Sequence, residues 1–184
     1  MEHSVLRHLR RTRDLGTDRR GMAAVEFALL LPVLLILYLG AFEGSQAISA
    51  NRKVEAVAST VGDLVSRSSS MDATRLSNIT AISAAILNPF TTDGLVMTVT
   101  TVKVDATGKA TVDWSKASTG SGLAAGSAYA LPSDLKAFTD TYLVFSTVSY
   151  PYKALFSYGS MFGSIAMGKT YSFRPRKSSD IPFS

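Results

Sequence analysis

The longest apolar run in the chain extends from Phe27 to Phe42, sixteen residues without a charge, and Met22–Val25 with the single Glu26 lengthen it to 21 residues. As a helix rising about 1.5 Å per residue it just covers a hydrocarbon core about 30 Å thick, and it is too long for a buried strand. Beyond it the pattern changes rather than stops. From Ala50 onward, Val54, Val57, Ala58, Val61, Leu64 and Val65 recur at helical spacing, on one face of a helix that reaches about Ser66. The serines of Ser66-Arg67-Ser68-Ser69-Ser70 compete for backbone hydrogen bonds and end it. A helix from Met22 to Ser66 would measure about 67 Å. A second helix is predicted from Asp72 to Leu87, with Leu76, Ile79, Ile82 and Ile86 on one face and Asn88-Pro89 as its stop.

The period then shortens to two. Val96, Thr98, Thr100, Val102 and Val104 alternate within Leu95–Val104, and Ala110–Trp114 follows the Gly-containing stretch 105–109, which predicts a β-hairpin. Residues 115–128, rich in Ser, Gly and Ala, are expected as an exposed loop, and Leu131–Lys136 as a short helical turn. Further strands are predicted at Thr141–Tyr150 and Lys169–Arg174. Helices followed by strands, without βαβ alternation, indicate an α+β fold: a long N-terminal transmembrane and stalk helix, a second helix, and a small antiparallel sheet of about four strands packed on the stalk. Between the last two strands Tyr150, Tyr152, Phe156, Tyr158 and Phe162 crowd together, read either as a loop folded over its own core or as a projecting surface for subunit contact.

Composition sharpens this picture. Apolar residues make up 46% of the chain and charged residues 18%, and much of the excess lies in the one run, which leaves room for an anchor and one domain. Of the net charge of +5, residues 1–20 supply +3, from six arginines against Glu2, Asp14 and Asp18. A basic arm beside an apolar run sets topology rather than binding nucleic acid. By the positive-inside rule Arg19 and Arg20, with the other arginines, keep the N-terminus in the cytoplasm, and residues from about 43 onward are translocated. The lipid bilayer is therefore an expected partner and nucleic acid is not.

Little in the sequence points to catalysis. Cysteine is absent, and His3 and His8, the two histidines, both lie in the basic arm, so neither a zinc site nor a Ser-His pair is expected. Asp72 and Asp134 stand where helix capping explains them, and Asp93-Gly94 and Asp105 are turn signals. No enzyme activity, metal or cofactor is expected.

Two residues interrupt the apolar run. A carboxylate such as Glu26 costs about 2 to 3 kcal/mol at a bilayer centre and less near the interface, so it either stays hydrated beside Arg19 or Arg20 or has a dedicated partner. Pro32 removes one helical hydrogen bond and usually kinks a helix, though transmembrane helices tolerate it. Gly40 and Gly44 carry Gly-x-x-x-Gly spacing, which suits either flexibility or close helix packing. A Sec signal would have a shorter apolar core and a better site than Ala41-Phe42-Glu43. A twin-arginine signal at Arg19-Arg20 would have different flanks.

Taken together, Arg19-Arg20-Gly21-Met22-Ala23-Ala24-Val25-Glu26-Phe27 and the apolar helix containing Pro32 resemble the prepilin peptidase recognition site of type IV pilins. The stretch from Ala23 to Leu35 is similar to the TadE-like and TadG-like pseudopilins of tight-adherence (Flp-type IVb) pili, a resemblance specific to residues 19–45. It implies a type IV pilin-like fold in a bacterial inner-membrane protein, with a cytoplasmic N-terminus and a periplasmic C-terminal domain. It also implies cleavage after Gly21 by prepilin peptidase, with Met22 as the new N-terminus. Glu26 would then pair with an amino terminus, its own or a neighbour's, while Phe27 and Pro32 share in recognition and assembly. The organisation expected is a leader at 1–21, a membrane helix at 22–42, its stalk continuation at 43–66 and an exported domain at 67–184. The function so implied is that of a minor pilin or pseudopilin needed for pilus assembly, whose partners are other pilins or pseudopilins and the assembly machinery. The alternative is an uncleaved single-pass protein whose exported domain scaffolds another envelope or secretion component.

Overall fold

The computed structural model describes residues 21–154 and 164–184. Arg19 and Arg20, and Phe156, Tyr158 and Phe162 of the aromatic cluster, lie outside the described residues. Two helices, α1 (Met22–Ser66) and α2 (Ala73–Leu87), precede four strands: β1 (Val96–Val104), β2 (Ala110–Ala117), β3 (Thr141–Tyr152) and β4 (Ile165–Phe173). The strands form one antiparallel sheet in the order β2-β1-β3-β4, so the fold is α+β, as the change of period indicated. The chain divides into two compact units, the first ending at Gly44 and the second comprising Ser45–Ser184.

In the second unit α1 buries Ala50, Val54, Val57, Ala58, Val61, Gly62, Val65 and Ser66. It stops where the serines begin: Ser66 Oγ donates to the carbonyl of Asp63 at 2.8 Å and Ser68 Oγ to that of Leu64 at 3.1 Å. Asp72 then caps α2, its carboxylate accepting from the backbone N–H of Arg75 at 2.8 Å. The buried side of α2 is Ile79, Ser83 and Leu87. Ile82, expected on that face, is exposed. Ser83 takes its place because it is small and its hydroxyl satisfies itself on the carbonyl of Ile79 at 3.0 Å.

The sheet is covered on both sides. Met97, Val99, Trp114, Val144, Val148, Tyr150, Tyr152 and Met167 join the buried residues of α1 and α2 in one cluster. On the other face Val102, Val104, Ala110, Leu143 and Phe145 form a second cluster under Tyr129, Leu131 and Leu135. The two faces are phased by a bulge: Thr101 pairs with Trp114 but Val102 with Val112, so Asp113 is the extra residue. Without it Trp114 would point away from the helices.

Three strands differ in their boundaries from the sequence expectation. β2 runs on to Ala117, so Ser115–Ala117 are strand rather than loop, held in part by Thr100 Oγ1 and Ser115 Oγ at 2.7 Å. β3 extends two residues further, to Tyr152, which places Tyr152 in the strand rather than in a loop, and both Tyr150 and Tyr152 belong to the core. Pro151 is tolerated there because β1 has already ended at Val96, opposite Ser149, leaving Pro151 a neighbour on one side only, Ala166. β4 begins at Ile165, four residues before the expected start, and ends at Phe173 rather than Arg174. Its first half contains Ala166 and Gly168, small residues without strand preference, ordered by pairing with β3.

The C-terminal segment closes the second unit as a strap. The Arg176 N–H donates to the carbonyl of Ser66 at 2.8 Å, and Arg176 Nη2 meets Asp63 at 3.2 Å. Ile181 is fully buried, and its carbonyl accepts from Trp114 Nε1 at 2.6 Å and from the Tyr142 hydroxyl at 3.2 Å. Met71 N–H donates to the carbonyl of Pro182 at 2.9 Å and Ser184 N–H to that of Met71 at 3.0 Å, while the Phe183 ring lies 5.1 Å from that of Trp114.

Candidate membrane and assembly site

The sequence-singled residues that the structure describes all lie on the first 11 residues of α1 or next to it. Gly21 immediately precedes the helix and Met22 is its first residue. Leu and Ala predominate from Ala23 to Leu39, side chains that lose little rotamer freedom in a helix or have none to lose, and the helix runs without a break. Glu26 stands four residues after Met22 and therefore on the same face, one turn inside the end of the helix. Phe27 follows it and is 58% exposed. Pro32 lies inside the helix, where its missing N–H leaves the carbonyl of Ala28 without its usual helical partner.

Exposure sets this segment apart from the rest of α1. From Met22 to Tyr38 its large apolar side chains are open, Leu29 at 74% and Ile36 at 70%, whereas the first fully buried residue of the helix is Ala50. A single soluble domain rarely shows a contiguous apolar surface this long; such a surface marks contact with lipid or with other helices. The helix is long and apolar enough to cross a membrane, and none of its most apolar window is buried. That distinguishes it from the core helix of a soluble protein, which passes the same length test because it is buried.

Several titratable groups of the second unit have structural partners. Asp63 takes Arg67 at 2.8 Å and Arg176 at 3.2 Å. Asp113 accepts from Lys103 Nζ at 2.7 Å and from the Tyr142 hydroxyl at 2.8 Å. Burial, with the Asp113 charge beside it, pushes the Tyr142 hydroxyl well above its ordinary value. Glu55 accepts from the Tyr171 hydroxyl at 2.5 Å, with Lys169 at 4.0 Å, and that hydrogen bond raises the Tyr171 pKa. Asp105 closes the β1–β2 turn by accepting from the Thr107 hydroxyl and from the N–H groups of Thr107 and Lys109, which lowers its pKa, the hydroxyl contributing most. Among the described residues no three His, Cys, Asp or Glu side chains lie together so as to hold a metal ion.

The fold and the exposed helix thus define a class: an α+β chain headed by a helix able to cross a membrane. Residues 21–63 match the family model of TadE-like proteins, the family to which the sequence pointed. The match contains Gly21, Met22, Glu26, Phe27 and Pro32 and runs past the apolar stretch into the buried half of α1. Over this segment the chain is similar to TadE-like proteins. No curated protein and no solved structure gives a significant match.

Proposed function

We propose that the protein is a minor pilin or pseudopilin that takes part in assembly of a tight-adherence pilus. Its leader would end at Gly21, residues 22–42 would cross the inner membrane, 43–66 would continue as the stalk, and 67–184 would complete an exported, periplasmic domain. In this reading Arg19 and Arg20 hold the leader in the cytoplasm and prepilin peptidase cleaves after Gly21. The new amino group at Met22 becomes a cation for Glu26, its own or a neighbour's, in a low-dielectric setting where such a pair fixes register. Phe27 and Pro32 belong to the surface by which helices of neighbouring subunits pack. The work of the protein is then helix packing and protein contact, without catalysis.

One observation carries the reading: within a TadE-like segment, Gly21 stands directly before the helix, Glu26 lies one turn inside it, and the apolar side chains beyond it are open to a partner. The test is the N-terminal residue of the protein extracted from membranes of its native host, read by intact mass. A start at Met22 is the expected result. A start at Met1 replaces this reading with an uncleaved single-pass protein that scaffolds another envelope component. Glu26→Leu adds a second readout, with loss of pili expected while membrane insertion stays normal.

A further inference from the structure

Contacts inside the second unit order its parts along α1. Lys169 and Tyr171 of β4 meet Glu55, the Phe173 ring fills the space beside Gly62, and Arg176 reaches Asp63 and Ser66. β4 therefore advances in the same direction as α1, and its first residue, Ile165, belongs to the end of the unit at which α1 enters. The end of α2 comes to the same place, because Lys53 Nζ donates to the carbonyl of Ile86 at 3.1 Å. After it, Phe90 packs edge-on against Tyr152 with ring centres 6.0 Å apart, and Gly94 lies against Pro151. The C-terminal strap, Met71 and Tyr142 collect at the other end, where the β1–β2 turn is also found.

Among the described residues, nothing covers the apolar side chains at the entry end. Ile48 of α1 is 59% exposed and Ile165 of β4 52%, and Ala166, next to Ile165, and Pro89, just after α2, are exposed as well. Arg52, four residues after Ile48 and on the same helical face, is exposed, as is Lys153 at the end of β3; Asp93 is an exposed carboxylate on the 88–95 loop. The identity of the covering partner follows from chain length. Ile48 is six residues from Phe42, about 9 Å of helix and no more than about 20 Å in any conformation. The polar layer of a bilayer adds about 5 to 8 Å on each side of the hydrocarbon core. The entry end is thus tied within reach of the headgroups at whatever angle the two units take. So small a patch would not recruit a free domain, but a tether supplies the effective concentration and removes the cost of bringing the two together.

We propose that the entry end of the second unit rests on the bilayer surface, with Ile48, Pro89 and Ile165 in the interfacial layer and Arg52 and Lys153 toward lipid phosphates. The proposal rests on residues 22–42 being the membrane span. The contact holds the exported domain in one orientation and turns the strap end outward, toward other proteins. Because the chain has no cysteine, one introduced thiol takes an environment-sensitive fluorophore at a unique place. Full-length protein would be reconstituted into phosphatidylethanolamine–phosphatidylglycerol vesicles that carry a quencher either on the headgroup or in the acyl chain. Ile165→Cys reports the proposed contact, Ala106→Cys the opposite end of the sheet, and Leu35→Cys the span. The expected result is loss of most emission at position 165 with the headgroup quencher and retention of nearly all at 106. Equal retention at 165 and 106, with position 35 quenched from the acyl chain, overturns the contact and leaves the span standing. An unquenched label at 35 removes the span and the proposal with it. A label at 165 that is shielded without quenching, and becomes exposed as protein is diluted among vesicles, assigns the patch to a second copy and overturns the lipid contact.

Discussion

Gly62 shows how one residue sets the distance between α1 and the sheet. A Cβ at this position would run into the ring of Phe173 and come within 3.1 Å of Ser146 Cβ. In an exposed helix, replacing glycine by a better helix former gains up to about 1 kcal/mol. Here Gly62→Val is expected to destabilise the second unit by about 1 to 3 kcal/mol, through overpacking. The sign of the shift in a denaturation midpoint decides whether contact or propensity rules. Tyr171 gives a second case, in which the hydrogen bond to Glu55, reinforced by that carboxylate's charge, makes loss of the hydroxyl proton costly. The folded protein holds that proton more tightly than the unfolded chain, whose tyrosine titrates near pH 10. Its contribution to stability is therefore complete below that value and disappears as pH rises through the higher folded pKa. Tyr171→Phe should lose less stability between about pH 8 and pH 11 than the parent protein does. Parallel losses would exclude the Glu55 contact as a source of the alkaline dependence. Neither residue announced itself in the sequence, since a close approach and a hydroxyl–carboxylate pair 116 residues apart are products of the tertiary fold.

At the scale of elements, local signals were legible and cooperative ones were not. The apolar spacing of Val54, Val57, Ala58, Val61 and Val65 is the buried face of α1, the serine run ends it, and Asp72 caps α2. Each of those is decided by residues within one or two turns of each other. The first half of β4 could not be read because Ala166 and Gly168 take their strand conformation from β3, and the bulge at Asp113 has no local marker. The strap was the largest omission: Ile181-Pro182-Phe183 is too short to show a period, yet Ile181 is among the largest fully buried side chains. Ile181→Ala is expected to cost about 2 to 5 kcal/mol, as for other buried aliphatic truncations. Leu123→Ala, at an exposed position, should stay within about 0.5 kcal/mol of the parent protein. Similar, small effects for both in chemical denaturation would mean that the strap is ornament to a core complete without it. Of the candidate site, Gly21, Met22, Glu26, Phe27 and Pro32 were legible because a linear motif carries them; the entry end of the second unit was not, since β4 and the 88–95 loop meet there only in the fold.

For the whole molecule, the distribution of buried residues along α1 has a consequence for its two units. Every buried apolar residue described lies at Ala50 or beyond, whereas the first unit ends at Gly44. Removing residues 1–44 therefore takes nothing from either hydrophobic cluster and leaves α1 with 22 of its 45 residues, Ser45–Ser66. An isolated helix of that length is marginal in water, but here its inner face is held by α2 and the sheet. The cost is confined to fraying before Ala50. Ile48 and Ile165 would remain exposed, and scattered apolar side chains of this kind are ordinary on soluble surfaces. The fragment Ser45–Ser184 is accordingly expected to fold without detergent as a monomer, with a mixed helix and strand circular dichroism spectrum and one cooperative thermal transition. The full chain, with open side chains from Met22 to Tyr38, should require detergent or lipid to stay dispersed. Size-exclusion chromatography of both, with and without detergent, makes the comparison. If the fragment aggregates or unfolds, the second unit depends on the apolar helix for its stability. If it folds and the full chain also stays dispersed without detergent, the exposed run is not what sends this protein to the membrane.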